Sequence, residues 1–156
     1  MAHVEKTIEV EKPVEQVYAQ WTQFEDFPKF MENVEKVRQL DDKHLEWKAK
    51  VAGSERQWKA EIVQQKPNQV IAWKATTGDK NDGMVEFQPI DGKTKVKLIL
   101  DYDPPAGAAG EIGDKLVQAT PGRVENDLKR FKEFIEERGT PTGKWSGEIQ
   151  GGQVKK

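Results

Sequence analysis

The sequence predicts an α+β fold in which one antiparallel sheet of seven strands curves around a long C-terminal helix. Apolar and polar residues alternate from Val34 to Tyr102, and the apolar spacing then lengthens to three and four residues until Gly139. Only a few residues separate the alternating stretches, which favours sequential antiparallel neighbours. Because each strand has one apolar and one charged face, the sheet needs a cover on one side, and the last helix supplies it.

The N-terminal part predicts one strand followed by two short helices. Val4, Ile8 and Val10 share one face of the strand with Lys6. A helical run over residues 13–24 begins with a proline, which suits a first turn because its missing N–H has no intrahelical partner there. Residues 24–31 carry rings three residues apart with a proline in the middle, so this segment is expected to be a second short helix or turn.

Six further strands complete the predicted sheet as a meander. Their inward-facing residues include Leu45, Trp47, Ala49, Trp58, Ala60, Ile62, Val96, Leu98 and Leu100. The breaks between strands carry turn-forming pairs such as Pro67-Asn68 and Asp91-Gly92. We therefore expect these apolar residues to pack against the last helix.

The last helix is marked by a stripe of apolar residues at helical spacing: Val117, Val124, Leu128, Phe131 and Ile135. A Pro- and Gly-rich hinge over residues 103–113 precedes the stripe, Pro121-Gly122 is expected to kink or split the helix, and Gly139 to cap it. The sequence thus predicts one helix-covered domain, 1–138, and a Gly-rich tail, 139–156. With few apolar residues, the tail either docks through Trp145 or stays mobile.

Charge and composition exclude several classes of protein. Lys and Arg number 25 against 27 Asp and Glu, both signs interspersed, which argues against nucleic-acid binding. The chain has no cysteine, so disulfides and thiolate metal sites are excluded. No apolar run approaches the roughly 20 residues of a membrane span, and the first residues lack a signal-peptide core. We expect a soluble, cytoplasmic protein; the sequence predicts no oligomeric state.

The residue types that carry catalysis and metal binding are not grouped in this sequence. His3 and His44 begin separate strands without ligand-spaced partners, and Ser54 and Ser146 stand outside any nucleophile-elbow setting. The glycines of residues 107–113 lack the Lys-Ser/Thr ending of a phosphate loop. The sequence therefore predicts no metal, no cofactor and no catalytic constellation.

Four segments carry a resemblance to a known family: residues 20–31 (QWTQFEDFPKFM), 58–62 (WKAEI), 71–73 (IAW) and 123–136 (RVENDLKRFKEFIE). Across residues 3–138 the chain resembles the START-related, birch-pollen-allergen-like (SRPBCC) superfamily, and within it the bacterial polyketide cyclase/dehydrase-like proteins. The resemblance implies a helix-grip fold. That superfamily includes lipid and coenzyme Q carriers, cyclases and hydrolase-like members, so the resemblance alone implies no single activity.

The space between sheet and helix is the candidate site. Its predicted lining consists of aromatic residues on inward strand faces and one cation: Trp47, Arg56, Trp58, Trp73, Phe87 and Tyr102. A guanidinium on an apolar face must be paired, hydrogen-bonded or solvated. Arg56 is therefore either a strand-end residue that reaches solvent or a partner, or a positive group that orients an acidic or carbonyl-bearing ligand.

Three functions are compatible with that lining. The first is a binding module for a small hydrophobic or aromatic molecule, whether lipid-, quinone- or polyketide-like. The second is a cyclase or dehydratase acting on a polyketide-like substrate, in which Arg56 and Tyr102 polarise or protonate a carbonyl. The third is a structural or partner-binding protein whose aromatic residues simply fill the core.

Overall fold

The structure is a computed structural model that describes the backbone of residues 2–31, 34–51, 54–77, 81–102, 111–143, 145 and 147–155. Side chains are described for residues 3–31, 34–50, 55–77, 82–101, 122–143, 145 and 147–154. The side chains of Tyr102 and Val117 and most of the predicted hinge, residues 103–110, lie outside these ranges.

The chain forms nine strands, two α-helices and one short 3₁₀ helix. In chain order these are β1 (Ala2–Val10), α1 (Val14–Trp21), the 3₁₀ helix (Phe24–Lys29), β2 (Val34–Gln39), β3 (His44–Val51), β4 (Ser54–Lys66), β5 (Val70–Ala75), β6 (Asn81–Ile90), β7 (Lys93–Tyr102), α2 (Glu111–Arg138), β8 (Glu148–Gln150) and β9 (Gln153–Lys155). The predicted order of elements is therefore present, with two more strands than expected.

The sheet is antiparallel throughout, in the order β1-β7-β6-β5-β4-β3-β2. Each neighbouring pair from β2 to β7 follows directly in the chain, as the short connectors predict. The turn at Asp91 and Gly92 has positive φ at both residues, as a tight two-residue hairpin requires. The two additional strands come from the tail, where β8 pairs with β9 and with β4, so the predicted count of seven is wrong.

The predicted inward face is confirmed by burial. Leu45, Ala49, Ala60, Ile62 and Leu98 on the sheet, and Val124, Leu128, Phe131 and Ile135 on α2, are each at most 5% exposed. Most outward neighbours are polar; Lys97, for example, forms an ion pair of 2.7 Å with Glu5 across the outer face. The structure therefore confirms which side chains of the strands face inward and that α2 covers them.

The long helix α2 runs beside β1 and in the same direction. The Glu11 backbone N–H donates to Glu136 Oε2 over 2.8 Å, and Lys132 Nζ donates to the Glu9 carbonyl over 3.0 Å. Gly139 has the positive φ of a C-cap, and its N–H bonds to the Ile135 carbonyl. Of the kink or split expected at Pro121-Gly122, the split is wrong: α2 is one helix, because proline removes only its own backbone hydrogen bond and the others continue the helix.

An aromatic cluster joins α1, the 3₁₀ helix and the C-terminal half of α2. Phe131 is fully buried, with its ring edge-to-face against Trp21 at 4.8 Å and against Phe30 at 5.2 Å between centroids. Phe27 lies between Trp21 and Phe30, at 5.6 Å from each. The rings at three-residue spacing in the sequence thus form the packed end of the core.

The tail docks on the domain. Ile149 is completely buried and pairs with Gln65 of β4. Gly152 donates its N–H to the carbonyl of Val63. A bulge in β4 leaves Val63 unpaired with β5, because the register shifts between Ile62 and Gln64. The Trp145 indole donates to Asp42 Oδ1 over 3.1 Å. Of the two alternatives for the tail, docking is the one observed, although Ile149 rather than Trp145 is the buried anchor.

Buried polar side chains of α1 hold the start of the tail. Gln20, which is 0% exposed, accepts the Thr142 backbone N–H over 2.8 Å and donates to Asp26 Oδ2 over 3.1 Å. The Thr142 hydroxyl also donates to Asp26, and Lys29 forms an ion pair with it at 3.1 Å. Burial alone raises the pKa of the Asp26 carboxyl, but these hydrogen bonds and Lys29 together hold the pKa below its ordinary value.

The tail contact is therefore expected to weaken in acid. Because the pKa of Asp26 is lowered in the folded state, its stabilisation is complete above the unfolded value of 3.8 and is lost as pH falls through the lower folded value. At neutral pH, Asp26→Asn should lower the unfolding free energy by about 1.5–3 kcal/mol, the range for hydrogen bonds to a charged group. Urea unfolding at neutral pH and below about pH 3 measures the difference.

The exposed turn residue Asp91 provides the matched control. Asp91→Asn removes the same charge far from the tail and should change stability by less than about 0.5 kcal/mol. A deficit of Asp26→Asn that persists undiminished in acid would show that the charge of Asp26 is not what holds the tail.

Candidate functional site

The inward face of the sheet divides into a packed part and an open part. In the packed part, Ile62, Ile71, Val85 and Val96 are all 0% exposed. The open part comprises inward-facing residues on β3 to β7 that are only half-buried: Trp47, Arg56, Trp58, Trp73, Ala75, Gly83 and Leu100. These inward-facing side chains are partly exposed, so the elements that cover the sheet pack less completely against them than against the packed part.

Two tryptophans form a stacked pair at one side of the open part. Trp47 and Trp58 stand directly opposite each other on β3 and β4, with parallel rings at 5.8 Å between centroids. The Trp47 ring also contacts Phe27 of the 3₁₀ helix at 5.5 Å, which ties the pair to the packed core. Trp47 Nε1 is buried and donates to no acceptor in the described chain, an arrangement that costs free energy until an acceptor is supplied.

Arg56 lies on the same face as the stacked pair. It stands opposite Ala49 and two residues before Trp58, which confirms the predicted parity. Its side chain is half-buried, and the Nε atom is buried. Among the described inward-facing residues of β3 to β7, Arg56 is the one charged side chain.

Trp73 lies on the far side of the open part, against a glycine. It pairs with Ile62 on β4 and with Gly83 on β6, and Gly83 in turn pairs with Leu100 on β7. A Cβ built on Gly83 would lie 2.7 Å from Cε2 of Trp73, closer still to Cζ2, and 2.9 Å from Cδ2 of Leu100. The indole therefore occupies the space that a side chain at position 83 would need.

The structure brings four of the six predicted site residues together on this open face: Trp47, Arg56, Trp58 and Trp73. Phe87 is not among them: it is 5% exposed and packs edge-to-face on Tyr18 at 5.5 Å and on Trp21 at 6.2 Å, inside the core. The side chain of Tyr102 lies outside the described residues. Gly83 and Ala75 were missed, although a glycine inside a strand pattern is itself a signal of close approach.

The two histidines lie away from the open face. His3 Nδ1 bonds to Asp101 Oδ1 at 2.7 Å on the outer face of the sheet, and this contact raises the pKa of His3. His44 contacts Asp41 at the start of β3. No group of three or more metal-ligating side chains occurs in the part of the chain that the structure describes.

The outer face carries a groove of its own. It has a volume of about 620 Å³ and is lined mainly by polar and charged residues of β4 to β7 and the turn after β4: Gln64, Lys66, Gln69, Glu86, Gln88, Lys95 and Lys97, with Val70, Met84 and Phe87. Such a lining is hydrated and offers little apolar surface to a ligand. None of the described helices is long and apolar enough to cross a membrane.

A comparison with known protein families identifies relatives of this chain. Residues 10–136 match the family described as "Polyketide cyclase / dehydrase and lipid transport". The chain belongs to this family. A curated relative from Streptomyces lincolnensis, named an uncharacterized 17.2 kDa protein in the melC2-rnhH intergenic region, is 42% identical over 151 residues, covering 96% of this chain and 99% of that protein.

Solved structures share the fold of this family member. A START superfamily protein from Mycobacterium smegmatis matches with a TM-score of 0.73 at 17% identity, over 88% of this chain and 99% of that one. The Zhui aromatase/cyclase from Streptomyces sp. R1128 matches with a TM-score of 0.68 at 21% identity, over 92% and 98%. The helix-grip fold expected from the sequence is thereby confirmed, and the family match confirms the expected polyketide cyclase/dehydrase-like family.

Proposed function

We propose that this family member binds a small hydrophobic or aromatic molecule between the sheet and α2, against the open part of the inward face. The observation that carries the proposal is the contrast in burial along one face. Ile62 is completely buried, whereas Trp73, its cross-strand partner, and Leu100 beyond it are half-buried. Accessible apolar side chains inside a helix-covered sheet are the surface that an apolar ligand covers favourably.

The stacked tryptophans support an aromatic or otherwise planar ligand. Rings prefer offset-stacked or edge-to-face neighbours, and the Trp47–Trp58 pair offers both faces and edges on one side of the open part. Large rings of this kind each contribute a substantial apolar area to a bound molecule. Lipids, whose transport the family description names, are likewise apolar ligands.

Arg56 supports a preference for ligands with an acidic or carbonyl group. A guanidinium is a planar hydrogen-bond donor that pairs well with carboxylate-like groups. On the open face it stands beside otherwise apolar and small side chains. A ligand that is apolar over most of its surface and carries one acidic end therefore suits the site best.

Two fluorescent dyes test the proposal. We expect both 1,8-anilinonaphthalenesulfonate (ANS), which is anionic, and Nile red, which is neutral, to bind the protein and quench tryptophan emission. Arg56→Leu should weaken ANS by roughly 10- to 100-fold, as for loss of a hydrogen bond to a charged group, and leave Nile red nearly unchanged. Fluorescence titration of the two dyes measures both dissociation constants.

Arg38 provides a matched control because it is an exposed arginine on β2 that pairs with Glu46 at 3.4 Å on the outer face. Arg38→Leu removes the same charge and should change neither dye by more than about twofold. Failure of both dyes to bind the wild-type protein would refute the proposed function. Equal losses for Arg56→Leu and Arg38→Leu would refute the role of Arg56.

A cyclase or dehydratase acting on a polyketide-like substrate is the second candidate. The family description includes polyketide cyclases and dehydrases, and the Zhui aromatase/cyclase shares the fold. In that case Arg56 polarises a substrate carbonyl on the open face. Incubation with a poly-β-ketone distinguishes the candidates: a binding module returns the compound unchanged, whereas an enzyme converts it at a rate that falls when Arg56 is replaced.

A further inference from the structure

We infer that Gly83 sets the size of the ligand that the open face accepts, because it lets the Trp73 indole lie against strand β6. This inference rests on the proposed function and concerns the same site. Gly83 has no side chain, and it determines which ligands fit through its contact with the Trp73 indole.

The position of Gly83 follows from the register of the sheet. Ile62, Trp73, Gly83, Leu100 and Val4 form one row across five neighbouring strands, all on the inward face. The row is buried at both ends and half-buried in its middle three members. Trp73 and Gly83 thus lie where the open part begins.

The backbone at position 83 does not itself require a glycine. Gly83 does not have a positive φ, unlike Gly92 and Gly139, so any residue can adopt its backbone conformation. A glycine inside a strand weakens that strand, and an aromatic neighbour lying across it offsets part of the loss. The close approach of Trp73 is therefore the feature that calls for a glycine here.

A side chain at position 83 would displace Trp73 in one direction only, away from the sheet. A Cβ would come within 2.7 Å of the Trp73 indole and 2.9 Å of Leu100, both closer than side-chain contacts allow. The strands lie beneath both side chains, and the half-buried side faces the proposed ligand. The indole must therefore rise from the sheet into the space that the ligand fills, and larger ligands lose more than smaller ones.

ANS and its larger dimeric form, bis-ANS, test the inference by fluorescence titration. Gly83→Ala should weaken bis-ANS by about tenfold or more while changing ANS by less than about threefold. In a Trp73→Val background, Gly83→Ala should change bis-ANS binding by less than about threefold, because valine is too short to reach position 83. Gly122→Ala, at an exposed helical glycine with no atom within 4 Å of an added Cβ, is the control for the added methyl group.

Far-UV circular dichroism of each variant shows whether it is folded, and the comparison in the Trp73→Val background keeps the test decisive if Gly83→Ala alone is unstable. Equal losses for the two dyes, or no loss for bis-ANS, would overturn the role of Gly83. So would a loss of bis-ANS binding on Gly83→Ala that is as large in the Trp73→Val background as in the wild-type protein. Failure of the proposed function appears differently, as absence of dye binding in the wild-type protein.

Discussion

Replacement of Phe131 by alanine is expected to lower the unfolding free energy by about 3–5 kcal/mol, the range for removing a buried phenylalanine from a packed core. Phe131 is completely buried and contacts Trp21 of α1 and Phe30, which directly follows the 3₁₀ helix. The cavity left behind is bordered by rings that edge-to-face contacts fix in place, so it closes poorly. Urea unfolding followed by far-UV circular dichroism measures the loss.

Phe134 is the matched control on the same helix. It is half-buried and contacts Phe30 at 5.6 Å in a tilted arrangement. Phe134→Ala should cost about 1–2 kcal/mol, because less of its surface leaves water on folding. A loss for Phe131→Ala that does not exceed the loss for Phe134→Ala would contradict the placement of the packed end of the core.

Replacement of Ile149 by alanine is expected to lower the unfolding free energy by about 2–4 kcal/mol. This side chain is completely buried although it belongs to the C-terminal tail, and β8 joins β4 at this residue. The loss should appear in one cooperative transition, because the tail and the sheet share the backbone bond between Gly152 and Val63.

The half-buried Val154 of β9 pairs with Ile149 and serves as control, and Val154→Ala should cost about 1 kcal/mol. A first, separate transition of small amplitude for Ile149→Ala would show that the tail unfolds by itself. In that case the predicted division of the chain at residue 138 would separate two parts that unfold independently.

The strands and the cover were predictable because their signals are local. Alternation from Leu45 to Ala49 and from Trp58 to Ile62 fixes which side chains point inward, whatever the neighbouring strand does. The spacing of Val124, Leu128 and Ile135 likewise fixes the covering stripe of α2. These residues are buried as expected.

The tail was harder to predict because its contacts are distant in sequence. Three-residue strands carry almost no alternation, and Ile149 stands alone among glycines and polar residues. Its burial depends on the bulge at Val63, which presents a spare carbonyl to Gly152. A bulge is set by pairing across the sheet, so single-sequence periodicity contains no signal for it.

The site was only partly predictable, because strand parity is a local signal whereas the covering of each ring depends on tertiary contacts. Strand parity placed Trp47, Arg56 and Trp58 on one face, but parity does not distinguish a packed ring from an accessible one. Phe87 shares the inward face and is nevertheless covered by Tyr18 and Trp21 of α1. That difference depends on where α1 ends along the sheet, which is a tertiary property.

The central claim is that an apolar ligand binds on the open inward face rather than in the polar groove outside. A titration of ¹⁵N-labelled protein with ANS, followed by ¹H–¹⁵N correlation spectra, tests this directly. The account predicts the largest shifts for the indole N–H signals of Trp58 and Trp73 and the backbone signals of Ala75 and Gly83. Shifts confined to the side-chain amides of residues 64 and 88, which line the outer groove, would contradict it.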